Sequence, residues 1–146
     1  MTKTTQETAE QAARRLYAAD RASQGLGMTI VDVGAGTASV TMTVRADMTN
    51  GHGICHGGFV FMLADSAFAF ACNSHGAPTV AAGATIDFLA PARIGDQLTA
   101  VAREEWLGGR TGIYDIVVTR ADHTVIAHFR GRSHRLSRAP ETPSKD

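Results

Sequence analysis

The chain has 146 residues, enough for one domain with a sizeable core, and its 44% apolar and 19% charged content is that of an ordinary globular protein. Its 14 Lys and Arg balance 14 Asp and Glu, so no net field draws it to nucleic acid or to a membrane surface. Two cysteines, Cys55 and Cys72, are too few for a disulfide framework and leave a reduced cytoplasmic protein as the default.

The first 20 residues, "MTKTTQETAEQAARRLYAAD", mix acids with bases and lack the apolar core of a signal peptide. Ala9, Ala12, Ala13, Leu16 and Tyr17 recur at helical spacing, which predicts an amphipathic helix over 5–19. "GLG" (25–27) is expected to end it. A short strand follows at 28–34. After the turn "AGT", residues 38–45 alternate apolar with polar in a half-buried strand, so the pair reads as a hairpin. Residues 46–58 form a loop rich in Gly, Asn and His. The run from Phe59 to Cys72 is almost wholly apolar; at 14 residues it is too short to span a bilayer and reads as a buried core helix. Four strand-like runs then follow at 79–89, 96–107, 110–120 and 124–136, separated by "PARIGD", "GG" and "ADH". The polar tail "SRAPETPSKD" (137–146) has no periodicity and reads as disordered. A single domain is expected over 1–136.

This order predicts an α+β fold with an antiparallel sheet. A helix apolar on all sides must be covered on all sides. A flat sheet covers one face. A strongly curved sheet covers more, and a second subunit can cover the rest.

One carboxylate, Asp65, interrupts the apolar helix. An ionised carboxylate without partners in an apolar site costs several kcal/mol, or takes up a proton. Two readings make it structural: it emerges at a helix edge into solvent, or it accepts hydrogen bonds inside the fold. The functional reading is a general base or nucleophile whose apolar setting moves its pKa toward working pH. "His56-Gly57-Gly58" lies where this helix must begin. The first N–H groups of a helix have no internal partner, and glycines let a carbonyl approach them closely. Such an end can polarise a carbonyl or hold an oxyanion.

Gly57 and Asp65 are eight residues apart, so on one helix they lie about 12 Å apart along its axis. One carbonyl cannot touch both. Either the two do not work together, or each active site takes one of them from each subunit of a two-fold dimer.

His52, Cys55, His56, Cys72 and His75 invite a metal reading, but their spacing lacks the tight ligand pairs of structural zinc sites. No metal is expected. Asp87, between Ile86 and Phe88, reads as solvent-facing by strand alternation. Trp106 and Tyr114 read as core or interface.

The stretch "NGHGICHGGFVFMLADSAFAFACNSHG", followed by "GATIDFLAPARIGD", "TGIYDI" and "HFRGRSHRL", resembles the phenylacetate-degradation branch of the hotdog-fold acyl-CoA thioesterases. The resemblance covers roughly residues 5–136. It implies a long central helix wrapped by an antiparallel sheet, a homodimer as the minimal active unit, and pairing of dimers into a homotetramer. It implies hydrolysis of acyl-CoA thioesters, with Asp65 as base or nucleophile and the Gly57 N–H polarising the carbonyl from the other subunit. His56 and Asn50 are expected in the same site, and no cofactor is expected beyond the coenzyme A of the substrate. Some relatives carry an Asn before the aspartate that ends the first helix; this chain has Ala19 before Asp20, which removes one polar contact to the acyl group. Candidate substrate contacts are Gly58, Ser66 and Ser133, with Arg93, Arg110, Arg130 and Arg132 as cations for the phosphates. The bland reading of the arginines in "HFRGRSHR" is a solvated edge strand. An alternative activity is a hotdog hydroxyacyl-thioester dehydratase using His56 with Asp65. An alternative of another class is a non-catalytic acyl-CoA binding module.

Overall fold

A computed structural model describes residues 2–137. Helix α1 (Thr5–Ala19) starts in a capping box, in which the Thr4 hydroxyl accepts from the Glu7 N–H and the Glu7 carboxylate accepts from the Thr4 N–H. Its buried stripe is Ala9, Ala12 and Ala13, small residues that let the helix lie close on the sheet margin. Gln6 Nε2 donates to the Val33 carbonyl at 2.8 Å, tying α1 to the first strand.

α1 covers the expected 5–19, and a second short helix leads from it into "GLG". Asp20 leaves the helical conformation (φ −90°, ψ 82°) and caps this helix, α2 (Arg21–Gly25). Its carboxylate accepts from the Ser23 N–H at 2.9 Å, the competition with helical hydrogen bonding that makes Asp an N-cap residue. Strands β1 (Thr29–Gly34) and β2 (Thr37–Thr43) form the expected hairpin, which turns through Gly36 at φ 74°. The following loop is more ordered than its composition suggests. It holds a 3-10 turn (Ala46–Met48) and a bridge between Thr49 and Cys55.

Helix α3 (Gly57–Cys72) begins two residues before the apolar run does. Strands β3 (Thr79–Phe88), β4 (Gln97–Gly108), β5 (Thr111–Arg120) and β6 (Val125–Arg135) complete one antiparallel sheet in the order β1-β2-β4-β5-β6-β3. β3 is therefore not beside β2. It lies at the far edge, bonded to β6, while β2 pairs with β4. α3 fills the hollow of the sheet and touches all six strands. The α+β hotdog expectation is borne out.

Sheet glycines permit this close seat. A Cβ on Gly131 would stand 2.7 Å from the Phe68 ring of α3, which is buried against Tyr114 and Phe129. Coverage of α3 is incomplete: Phe59, Phe61, Met62, Asp65 and Ala69 are only part-buried. A bulge between Glu104 and Trp106 reverses strand alternation, so Trp106 is 55% exposed while Tyr114 is in the core. Among the described residues, no helix is long and apolar enough to cross a membrane. The tail expected to be disordered, beyond Ser137, lies outside the described residues.

Candidate active site

The start of α3 is built by His56. Its ring Nδ1 accepts from the Gly58 N–H at 3.0 Å, and its own N–H donates to the Met48 carbonyl at 2.7 Å. The cap takes up Gly58 and leaves Gly57: among the described residues, nothing accepts from the Gly57 N–H. That free donor sits at the positive end of a 16-residue helix. Because Nδ1 is an acceptor, the neutral ring carries its proton on Nε2 and can only donate there.

Asn50 shapes the approach. Its Oδ1 accepts from the N–H groups of His52 (2.9 Å) and Ile54 (3.4 Å), which leaves Nδ2 without a partner among the described residues. Asn50 and Gly57 line one groove of 620 Å³, walled by Val60, Phe88, Leu89 and Ile126. Phe88 lies directly over Gly57, where an added Cβ would stand 2.9 Å from the ring. A second groove of 660 Å³ opens on the other side of the helix start, between α2 and His56, Gly58, Phe59 and Met62.

Asp65 sits on the α3 surface that the sheet leaves open. It is part-buried and hydrogen-bonds to no group among the described residues. Burial pushes its carboxyl above the usual range, and the nearby Asp20 charge pushes the same way. Of the readings open at the sequence level, satisfaction inside the fold is therefore excluded, and a destabilised carboxylate reaching an opening remains. Ser66, the next residue, faces inward: it is 5% exposed and its hydroxyl meets Ser23 of α2 at 2.8 Å. It is engaged in the fold and is not open to a ligand.

Asn50, His56, Gly57 and Gly58 are thus brought together at one end of α3. Asp65 is two turns along the same helix. The arginines are scattered. Arg130 and Arg132 alternate with the inward residues Phe129, Gly131 and Ser133, so they lie on the outer sheet face, away from α3. Arg130 is held in a two-bond pair with Asp115 (2.6 and 2.7 Å), and Arg132 reaches the Ala82 carbonyl. Ser133 is buried beside the Gly112 carbonyl. The side chains of Arg93 and Arg110 are exposed and have no partner among the described residues. Among those residues, no three His, Cys, Asp or Glu side chains converge as a metal-holding group. His75 instead pairs with Glu104 at 2.7 Å.

Two contributors were not legible beforehand. Phe88 was read as an ordinary strand residue, and nothing local marks it as the cover of Gly57. Asp20 was read as the end of α1. Its own residue type, an N-cap former between two helical stretches, was the available signal.

An apolar helix held by an antiparallel sheet that touches it with all six strands is the hotdog arrangement. The chain belongs to the thioesterase superfamily, whose family model matches residues 52–127. It is 49% identical to the acyl-coenzyme A thioesterase PaaI of Escherichia coli K12 over 86% of this chain and 90% of that one. The solved structure of E. coli PaaI, from the phenylacetic acid degradation operon, superimposes with a TM-score of 0.91 at 46% identity, over 93% of this chain and 99% of that one. A Streptococcus mutans UA159 protein solved with acetyl-CoA matches at TM-score 0.74 and 25% identity, over 77% of this chain and 91% of that one.

Proposed function

We propose that this protein hydrolyses acyl-CoA thioesters to the free acid and coenzyme A, with an aryl-acetyl or other aromatic acyl group as the preferred substrate. The observation that carries the reading is the pairing of two unsatisfied groups on one helix, the Gly57 N–H and the Asp65 carboxylate. The thioester oxygen accepts from Gly57 N–H, with Asn50 Nδ2 as the further donor in the same groove, while His56 holds the loop there through the Gly58 N–H. Asp65 attacks the carbonyl carbon directly or removes a proton from the attacking water. With water as nucleophile, the proton that Asp65 removes passes to the departing thiolate as the C–S bond breaks. With Asp65 as nucleophile, C–S cleavage leaves a mixed anhydride, which water then hydrolyses to the free acid while the thiolate takes a proton from that water. The likeness to an acyl-CoA thioesterase supports the substrate class, and the phenylacetic acid operon of that relative supports the aromatic acyl group. His56 lacks the free ring acceptor at Nδ1 that a dehydratase base would need there, which favours hydrolysis over dehydration.

The active unit in this reading is a homodimer, with dimers pairing into a homotetramer. Gly57 and Asp65 lie on one straight helix about 12 Å apart, so one carbonyl meets Gly57 of one subunit and Asp65 of the other. β3 supports this. It is an apolar edge strand bonded on one side only, with Val80 and Phe88 exposed, and such an edge calls for a partner. Arg93 and Arg110, whose side chains are exposed and without a partner among the described residues, are the cations left free for coenzyme A phosphates, since Arg130 is already paired. The catalytic domain is residues 1–136 and its setting is the cytoplasm.

Asp65→Asn tests the reading with a panel of aryl and fatty acyl-CoAs, monitored by release of coenzyme A. Turnover is expected to fall by about 10²–10⁴-fold. Hydrolysis at the wild-type rate rules out a catalytic role for Asp65, and no turnover by the wild-type protein itself leaves a binding module. Mixing inactive Gly57 and Asp65 variants is expected to restore part of the activity. Proven subunit exchange without recovery overturns the shared site.

A further inference from the structure

The junction between α1 and α2 carries a polar chain that the reaction as described does not use. Asp20 Oδ2 accepts from the Ser23 hydroxyl at 2.6 Å, and the Ser23 oxygen lies 2.8 Å from the Ser66 hydroxyl of α3. Ser23 is fully buried and Ser66 nearly so, which makes this a side-chain link from α2 to α3 through the interior. Its direction is fixed by chemistry. An ionised carboxylate only accepts, so the Ser23 proton points to Asp20. The Ser23 oxygen then accepts, and the Ser66 proton points to Ser23. Neither hydroxyl has a proton left for Asp65, the residue before Ser66.

We propose that Asp20 is a positioning residue for the thioesterase site: anchored through Ser23 to Ser66, the neighbour of Asp65 on α3, it holds a negative charge near Asp65 and keeps the Ser23 and Ser66 hydroxyl protons turned away from it. The inference rests on the reading of Asp65 as base or nucleophile. Its purpose is chemical. A carboxylate that receives a donor is stabilised and becomes a weaker base; one facing a second carboxylate in a part-buried site stays reactive.

Other groups near Asp65 leave Asp20 as the lever. Along α3, the Cys72 thiol is pushed up to about 12 by burial and by Asp65, so it is neutral at working pH. From the sheet, the buried Tyr114 hydroxyl donates to Glu104 at 2.6 Å, so its proton is taken up there. From α1 and α2, Asp20 is the charge that acts on Asp65.

The test is the pH profile of kcat/KM, which a merely structural link would not move. In Asp20→Asn the side-chain oxygen still caps Ser23 N–H but the charge is gone. The acid limb is expected to move down by about half a pH unit or more. Ser23→Ala keeps the charge and cuts the link, and a smaller move in the same direction is expected. An acid limb unmoved in both variants, with the fold intact by circular dichroism, overturns the proposal. If Asp20→Asn does not fold, Ser23→Ala decides alone. Asp65→Asn run in parallel separates the two failures: wild-type hydrolysis there removes the base reading and this inference with it. Loss there with unmoved limbs removes this inference alone.

Discussion

Asp65 and Glu104 are two carboxylates at the margin of the same core, and the fold treats them oppositely. Glu104, on β4, accepts from the buried Tyr114 hydroxyl at 2.6 Å and contacts His75 Nε2 at 2.7 Å. Asp65, on α3, has no hydrogen bond among the described residues and faces Asp20. Asp65 interrupts an apolar run while Glu104 stands between Arg103 and Glu105, and neither residue type announces its role. The environment does: a structural carboxylate is supplied with donors, and the candidate base is deprived of them. Asp65 still leaves no fully buried polar atom stranded, because it keeps a way out of the core.

Substitution at the two positions should separate along two axes. Asp65→Asn is the largest expected effect on rate, the 10²–10⁴-fold loss given above, with a gain in stability rather than a loss. Its effect on stability has a definite sign. A carboxyl whose folded pKa is raised supports the fold fully below its unfolded pKa, and that support is lost as pH rises through the folded value. At neutral pH, above the unfolded pKa, Asp65 therefore opposes folding. Asp65→Asn should raise the urea midpoint at pH 7, and the gain should vanish below about pH 4, where both states are protonated. A midpoint lowered at pH 7 would mean that Asp65 is a satisfied structural residue like Glu104.

Gly57→Ala comes next. The added methyl meets the far end of an exposed Phe88 ring, which can swing aside, so the fold should hold. The methyl also crowds the one free amide of the helix start. Loss of about 10²-fold in kcat/KM is expected, the order seen when one oxyanion donor is lost. Circular dichroism and the urea midpoint check that the loss is local. Activity within twofold of wild type would remove Gly57 N–H from the mechanism.

Most of this fold could be read in advance, because period-two and period-3.6 patterns report directly on which faces are buried. The hairpin at 28–45, the apolar helix and the four later strands all stand close to their expected places. What could not be read depends on pairs distant in the chain. The placement of β3 at an edge, beyond β6, follows from how a crossover wraps α3, and no local pattern encodes it. The same holds for the link of Ser23 to Ser66, 43 residues apart, and for Phe88 over Gly57. Ser66 and Ser133 were expected to meet substrate because they lie near recognisable motifs, yet both point into the core. Residue type signals chemistry, but burial decides whether that chemistry faces a ligand.

Glu104→Gln is the mirror experiment, and its expected effect falls on stability alone. The amide oxygen can still accept from Tyr114, but the charge that strengthens both contacts is gone, and one face of the amide now offers a donor where acceptors were needed. A loss of about 1–2 kcal/mol in unfolding free energy is expected from urea denaturation, seen as a lowered midpoint. Glu104→Ala should cost more, since it leaves the Tyr114 hydroxyl buried with no acceptor. kcat/KM should stay within about threefold of wild type, because this cluster lies at the opposite end of α3 from the free Gly57 amide. A rate loss matching that of Asp65→Asn would place Glu104 in the reaction and dissolve the contrast between the two carboxylates.

The smallest expected effect belongs to a third carboxylate, Asp115, on the outer sheet face. It is held below the usual carboxylate range by the Arg130 guanidinium beside it, so it is the reverse of Asp65 in sign. A lowered folded pKa gives support that is present above the unfolded pKa and lost as pH falls through the folded value. Asp115→Asn should therefore lower the urea midpoint slightly at pH 7 and not at all once the pH is below that lowered value. The pair is solvent-exposed, and exposed pairs contribute little and weaken further with salt. The effect at pH 7 should be smaller than that of Glu104→Gln and should shrink in high salt, while the Glu104→Gln effect should persist because Tyr114 is buried. An Asp115 effect that survives high salt would mean that this face is covered in the assembled protein. The Asp115–Arg130 pair would then lie in the contact between dimers, where a buried ion pair that loses one partner leaves the other charge stranded.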